Sequence, residues 1–173
     1  MTTKDPKRVS IRLAVPSDVE DLVAMRLRIE DHMVEGNPDI WRMSAKKQRA
    51  KKGDYLTDLA NDQKRVLVAL DGAGAPIAMA VGSIRRHEET APALSGRIDD
   101  VWVAPKHREA GVASALIQEL LEFYKERGVE DLVLVYAAGN REAEAVWETL
   151  GFRPIFISAS AKLADVERKV QPR

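Results

Sequence analysis

Residues 101–116 read VWVAPKHREAGVASAL. Apolar side chains alternate over the first part of this stretch, as they do in a half-buried strand, and Pro105 ends the alternation. From Gly111 onward apolar residues recur at helical spacing, which predicts a helix over residues 111–127 with Gly128 as its C-terminal stop. A strand is therefore predicted to run through a short basic loop directly into the start of a helix.

This arrangement is typical of an anion-binding site. The first turn of a helix has backbone N–H groups without intrahelical partners, and the helix dipole is positive there. Gly111 allows close approach to the backbone, and Lys106, His107 and Arg108 add side-chain donors. Neither G-x-x-x-x-G-K-[ST] nor G-x-G-x-x-G occurs, which excludes P-loop and Rossmann sites. An ordinary tight connection between a strand and a helix remains the alternative.

Two motifs together resemble the GNAT superfamily of N-acetyltransferases. The first is similar to the family's pyrophosphate loop and reads Arg108-x-x-Gly111-x-Ala113, after Val101-x-Val103-x-Pro105. The second is similar to its second cofactor motif, about thirty residues downstream, and reads Asn140-x-x-Ala143-x-x-x-Trp147-x-x-x-Gly151-Phe152. The likeness covers nearly the whole chain and is most specific over residues 98–152.

The order of predicted elements agrees with this resemblance. Strand patterns cover residues 9–15, 65–71, 76–84, 97–105, 131–137 and 152–158, and helical patterns cover 18–31, 46–61, 111–127 and 140–150. Residues 32–44 are predicted as a loop, and Gly53 is expected to interrupt the second helix. We expect one mixed α/β (α+β) domain over residues 1–173, in which helices flank a mostly antiparallel sheet splayed between strands 4 and 5. Residues 1–8 are expected to form a flexible leader and 160–173 a charged tail.

The resemblance implies that acetyl-CoA lies in this splay. Backbone groups of Val101 and Val103 would then hydrogen-bond the pantetheine arm, and Asn140 would contact it too. Asn140 is equally well explained as a helix N-cap. The pyrophosphate would be held by the loop residues Arg108, Glu109, Ala110, Gly111, Val112, Ala113 and Ser114. Glu109 departs from the family, where Gly is common, so its carboxylate must point away from the diphosphate or weaken its binding.

A second departure concerns the leaving thiolate. Trp147 occupies the position where many family members carry the Tyr that protonates this group. Because indole does not ionise usefully, Trp147 is expected to pack, or at most to donate a hydrogen bond. Tyr136 is another candidate acid, with a core role as the simpler interpretation. Otherwise protonation falls to another residue or to water, or the protein is a poor catalyst.

Asp99 and Asp100 are the candidate bases for the proton of the amine. They are adjacent on the fourth strand, so they should point to opposite faces, with only one facing the cleft. A carboxylate in water at the end of a strand is the alternative for each. In related enzymes the first helix and the following loop shape the acceptor pocket, and here they contain Glu30, His32, Glu35 and Trp41.

Composition excludes several classes of function. Lys+Arg 27 and Asp+Glu 27 cancel, which disfavours binding to nucleic acid or an anionic membrane. There is no Cys, and the three His lack metal-ligand spacing, so we expect no metal site and no cysteine nucleophile. The N-terminus lacks the apolar segment of a secretory signal, and no apolar run is long enough to span a bilayer. A cytoplasmic location is expected.

The resemblance implies an N-acetyltransferase that moves an acetyl group from acetyl-CoA to a primary amine by direct attack in a ternary complex. Without Cys, or Ser in a nucleophile elbow, no covalent intermediate is expected. The alternative is an acyl-CoA-binding regulatory or interaction module with little or no transferase activity. The acceptor is a small-molecule or a peptide amine, depending on whether residues 33–44 leave an open groove. A homodimer formed through the final strand or the tail is a further expectation.

Overall fold

A five-stranded sheet with helices on both faces forms the protein. The computed structural model describes residues 9–36, 45–87 and 92–170, and only the backbone of residues 45–50. The strands are β1 (Ser10–Leu13), β2 (Lys64–Leu70), β3 (Pro76–Arg86), β4 (Leu94–Val103) and β5 (Asp131–Leu134). The helices are α1 (Val19–Gly36), α2 (Ala45–Leu59), α3 (Val112–Glu126), α4 (Arg141–Thr149) and α5 (Leu163–Val170). The expected flexible leader lies outside the described residues.

The sheet has the order β1-β2-β3-β4-β5, antiparallel except for the parallel pair β4 and β5. The predicted mixed fold, and the hairpin around residues 71–75, are confirmed. Strands β4 and β5 pair only from Ser95 opposite Asp131 to Ile98 opposite Leu134. Beyond this point β4 continues to Val103 while β5 ends, so the predicted splay between strands 4 and 5 is present.

Alternation along the strands produces two apolar cores, one on each face of the sheet. On β3, Ala78 and Ala80 face α3, whereas Met79 and Val81 face α1 and α2. The α3-face core also includes Leu116, Leu120, Phe123 and Tyr124. The core on the other face is formed mainly by Val19, Leu22, Met25, Tyr55, Val66 and Val68. The cores hold α1 and α3 against opposite sides of β4, the strand that carries the predicted site.

Two glycines make room for a buried tyrosine beside the splay. Tyr124 of α3 donates a hydrogen bond from its hydroxyl to the carbonyl oxygen of Arg97 on β4, at 2.7 Å. A Cβ atom on Gly82 would collide with that hydroxyl. A Cβ on Gly96 would lie 2.9 Å from the Tyr124 ring and 2.6 Å from Leu132 Cδ2. Glycine is therefore required at both positions for space.

Three expectations about element boundaries are wrong. Helix α1 continues through residues 32–36, which were predicted as loop, because the helix breakers begin only at Gly36. The rest of that loop lies outside the described residues. Gly53 does not interrupt α2. Strand β5 ends at Leu134, three residues earlier than predicted, because β4 offers no pairing partner beyond Ile98.

The predicted last strand, residues 152–158, does not form. Strand propensity needs a neighbouring strand to pair with, and this segment pairs with none. Its side chains Ile155, Phe156 and Ile157 are 72%, 89% and 91% exposed. The expected charged tail contains α5. Within the described ranges, no helix has both the length and the hydropathy needed to cross a membrane.

Filling the space beside Tyr124 should destabilise the fold. We expect Gly82→Ala to lower the free energy of unfolding by about 1–3 kcal/mol, the usual cost of overpacking. Gly53→Ala is the matched control, because nothing lies within 4 Å of a Cβ there. It should leave stability unchanged or raise it by up to about 1 kcal/mol. Urea unfolding followed by circular dichroism measures both.

A double substitution identifies the colliding atom. If the Tyr124 hydroxyl obstructs the new methyl group, Gly82→Ala combined with Tyr124→Phe should cost less than the sum of the two single changes. Strictly additive costs would contradict this account of the packing.

Candidate active site

The splay begins at a β-bulge in β4. In the pairing with β3, Val81 lies opposite Asp100 and Gly82 lies opposite Ile98, which leaves Asp99 as an extra residue. Ile98 is also the last residue of β4 that pairs with β5. The bulge therefore places Asp99 and Asp100 at the position where the two parallel strands separate.

The bulge removes the simple alternation expected for two adjacent residues. Arg97 lies opposite Ser83 and Asp100 opposite Val81, so both are on the sheet face covered by α1 and α2. Asp99 Oδ1 lies 2.9 Å from Arg97 Nε, and Asp100 forms an ion pair with Arg26 of α1. The expectation that the two adjacent carboxylates point to opposite faces is wrong, since both pair with arginines of this face. A role of one of them as the base stays a prediction.

The two aspartates differ in their remaining hydrogen-bonding capacity. Asp99 Oδ2 is buried and has no hydrogen-bond partner among the described residues. Asp100 is linked through Arg26 to a larger network, because Arg26 Nε lies 3.4 Å from Glu30 Oε1. A buried oxygen without a partner is costly unless a ligand or water satisfies it.

Glu30 connects the helices above this site. Its Oε1 forms an ion pair with Lys51 of α2, and both side chains are more than nine-tenths buried. Together with Arg26 and Asp100, this network fixes α1 and α2 relative to β4. Sequence analysis placed Glu30 in the acceptor region. It did not predict the burial of Lys51, because Lys51 stands in a run of basic residues over 46–52, and such runs usually face water.

Two buried tyrosines near the site remain protonated. Burial raises the pKa of Tyr55 to about 12, on the face that carries Glu30 and Arg26. Burial, together with the nearby Asp99 carboxylate, raises the pKa of Tyr124 far above its ordinary value. Neither hydroxyl ionises near neutral pH.

The loop before α3 presents a row of free backbone amides. After a 3₁₀ turn over Pro105–His107, Glu109 has φ +61° and Gly111 has φ +76°. The first helical hydrogen bond runs from the amide of Ala115 to the carbonyl oxygen of Gly111, at 3.0 Å. The amides of residues 109–114 have no backbone acceptor among the described residues. Left-handed residues alternating with ordinary ones produce a concave arrangement of N–H groups that suits an anion.

Glycine is favoured at position 111 because its φ of +76° lies in the left-handed region. Nothing lies within 4 Å of a Cβ built there, so space is not the reason. Glu109 adopts a similar left-handed conformation without being glycine, which costs roughly 1–2 kcal/mol. The loop thus tolerates strain next to its row of free amides.

The unpaired edge of β4 faces the splay. The amide of Ala104 donates to the carbonyl oxygen of Ile77 on β3, at 2.8 Å. Because successive residues direct their backbone groups to opposite edges, those of Val103 and Val101 point away from β3. Arg108 Nε donates to the carbonyl oxygen of Val103 at 3.2 Å, and Arg108 Nη1 lies 3.6 Å from Glu142 Oε2 of α4. The Val101 and Val103 side chains pack into the α3-face core.

Residues of the second motif have structural contacts. Asn140 caps α4, because its Oδ1 accepts a hydrogen bond from the amide of Ala143 at 3.1 Å, as the N-cap interpretation predicted. Trp147 packs edge-to-face on Phe152, with ring centroids 5.7 Å apart, and contacts the α3-face core. Tyr136 is half-buried just beyond β5.

A cleft of about 240 Å³ lies between the end of α1 and the chain that follows β5. One wall is formed by His32, Met33 and Gly36, and the other by residues 137–142. Helix α1 is fixed to β4 through Arg26 and Asp100, and residues 137–142 continue the chain from β5, so the cleft lies beside the splay. It brings together His32 and Asn140, whereas Glu35 and Tyr136 do not line it. Trp41 lies outside the described residues, and no metal-binding cluster occurs within the described ones.

The model of the GNAT acetyltransferase family matches residues 27–152. No curated protein sequence matches the chain.

Eight similar solved structures have 18–23% sequence identity to the chain, which supports the fold alone. A mutant of the BH1408 protein from Bacillus halodurans gives a TM-score of 0.79 at 19% identity, over 89% of this chain and 99% of that one. A predicted acetyltransferase with acetyl-CoA from Clostridium acetobutylicum gives 0.72 at 21%, over 91% and 98%. The aminoglycoside 6'-N-acetyltransferase AAC(6')-Ih from Acinetobacter baumannii gives 0.71 at 19%, over 90% and 97%. Since the family model covers most of the sequence, the chain belongs to the GNAT acetyltransferase family and is an acyltransferase of that type.

Proposed function

We propose that the protein transfers an acetyl group from acetyl-CoA to a primary amine by direct attack in a ternary complex, within a single domain. The observation that carries this proposal is the row of free amides over residues 109–114, next to the open edge of β4. The free amides suit the diphosphate of CoA, and the open strand edge suits the amide groups of its pantetheine arm.

The diphosphate would bind to the amides of residues 109–114, with the Ser114 hydroxyl nearby. The pantetheine arm would pair with the backbone of Val101 and Val103, as an added strand pairs with a sheet edge. Since Arg108 already occupies the Val103 carbonyl oxygen, the Val103 N–H is the group left to polarise the thioester carbonyl.

Asp99 is the better candidate for the proton acceptor. Its Oδ2 has no hydrogen-bond partner in the described part of the chain, whereas Asp100 is paired with Arg26. A base needs an oxygen that is free to receive the proton of the attacking amine. Trp147 and Tyr136 are not assigned a proton-transfer role, because the indole packs on Phe152 and Tyr136 does not line the cleft.

The acceptor is proposed as a primary amine of a small molecule or a peptide. Aminoglycoside acetyltransferases are among the similar structures, but at 19% identity they do not carry their acceptor over to this chain. A chain without Cys needs no oxidising compartment, and we place it in the cytoplasm as part of the same proposal. Nucleic acid and membrane surfaces are not proposed as partners, since the formal charge is zero.

Binding of CoA tests the site. Isothermal titration calorimetry should give a micromolar dissociation constant for the wild type, weakened at least about 10-fold by Gly111→Asp, which introduces a charge beside the diphosphate. Gly128→Asp is the matched control, because Gly128 also has a left-handed φ and open space but lies at the other end of α3. Equal losses in both variants, or no binding by the wild type, would overturn the site.

Turnover distinguishes an acetyltransferase from an acyl-CoA-binding module without transferase activity. The transferase should release CoA thiol from acetyl-CoA when primary amines are supplied, with no acetylated protein detectable by mass spectrometry. Binding without thiol release across a panel of amines would favour the alternative of an acyl-CoA-binding module. In that case, a gain of transfer in Trp147→Tyr would show that only the acid is missing.

Removing the side chain of Glu109 should strengthen CoA binding. Glu109→Gly relieves the left-handed strain and removes a negative charge near the diphosphate, so we expect about 3- to 10-fold tighter binding, with a smaller gain at high salt. Glu109→Gln separates the two effects, because it removes the charge and keeps the strain. Unchanged affinity in both variants would mean that the carboxylate does not face the bound diphosphate.

We also propose a homodimer. Strand β5 has an edge without a partner among the described residues, and the segment 152–158 has a strand pattern without a strand to pair with. Val135, just after β5, is 75% exposed, and most of the apolar side chains of residues 152–158 are exposed as well. Pairing between two copies would bury both surfaces. Light scattering after size-exclusion chromatography should give a dimer that Phe156→Glu converts to a monomer; a monomeric wild type would refute it.

A further inference from the structure

We propose that His32 donates the proton to the CoA thiolate as it leaves. This inference rests on the proposed acetyl transfer. It supplies an acid for the leaving thiolate, which Trp147 cannot protonate. His32 lines the cleft beside the splay, on the wall opposite Asn140.

The position of the cleft determines what His32 can reach. Arg26 fixes α1 over Asp100 of β4, so the end of α1 extends over the splay and places His32 on the wall that faces residues 137–142. A pantetheine arm along Val101 and Val103, reacting near Asp99, would bring its sulfur into the splay. The cleft adjoins the splay on the side of the chain that continues from β5, so His32 would approach the sulfur from the α1 wall.

The other proton donors are positioned less well. The Tyr124 hydroxyl donates a hydrogen bond to the Arg97 carbonyl oxygen, and Tyr55 of α2 is buried in the core between the helices and the sheet. His87 shares a hydrogen bond of 2.8 Å with Ser95, at the end of β4 farthest from Val103. His107 belongs to the turn before residues 109–114, the proposed anion loop. Of the described histidines and tyrosines, His32 is the one that lines the cleft.

An imidazole suits this task because it changes charge near neutral pH. As the amine nitrogen bonds to the thioester carbon and the carbon–sulfur bond breaks, the electron pair of that bond goes to sulfur. The His32 imidazolium then gives its proton to the sulfur, and Asp99 takes the proton of the attacking amine. The products are an amide and CoA thiol. Water returns the proton from Asp99 to His32, so no further reactant is needed.

The charged groups around His32 are of both signs. Arg141 and Glu142 line the opposite wall of the cleft. On α1 itself, Asp31 is adjacent, and Arg28 and Glu35 lie one turn before and after His32.

The chain has three histidines, so their imidazole resonances can be followed separately by NMR. CoA and desulfo-CoA, which lacks only the sulfur, are the probes. We expect the His32 resonances to move with CoA and much less with desulfo-CoA. His107, next to the anion loop, should respond equally to both, and His87 should respond to neither. Identical His32 responses to the two probes would overturn the proposal, even if both bind.

Kinetics provide a second test. His32→Gln should lower kcat by about 10- to 100-fold, leave the KM for acetyl-CoA within about twofold, and remove the decline in rate toward alkaline pH. His87→Gln is the control and should keep the wild-type pH profile. A His32→Gln variant with wild-type kcat and pH profile would refute the acid role. Failure of the wild type to bind CoA would instead refute the proposed function, and this inference with it.

Discussion

The contact between Tyr124 and the backbone of β4 is the interaction on which the site depends. The phenol lies in space left by Gly82 and Gly96 and bonds to the Arg97 carbonyl, two residues before the bulge at Asp99. It therefore fixes α3 against β4 at the place where β4 changes register with β3 and loses β5 as a neighbour. The anion loop begins α3 and the open edge belongs to β4, so this contact sets one relative to the other.

On the opposite face of the sheet, charged groups have the same function. Arg26 connects α1 to Asp100, and Glu30 connects α1 to Lys51 of α2. Buried ion pairs add little net stability, but removing one partner is costly, so they favour a single arrangement of the helices. That arrangement places the end of α1 over the splay and forms one wall of the cleft. The substrate arm and the acceptor would thus approach β4 from regions held by different interactions.

Much of the fold could be predicted because its signals are local. The helix after Gly111, the hairpin around residues 71–75 and the cap at Asn140 each depend on residues close together in the chain. The predicted final strand is wrong, since residues 152–158 have strand propensity without a partner in the sheet. The extent of α1 was underestimated because a helix continues through neutral residues until a breaker ends it. Lys51 was missed because burial depends on what packs against a residue.

The amino-acid pattern alone was sufficient for the family, the order of elements up to α4 and the left-handed glycine before α3, because periodicity, glycine conformation and capping act over a few residues. The tertiary structure decided which side chains share the site. The bulge at Asp99 is a property of the register between β3 and β4, and it changed the expected orientation of two adjacent carboxylates. The cleft that joins His32 to Asn140 combines residues more than one hundred positions apart, and only packing across the sheet brings them together.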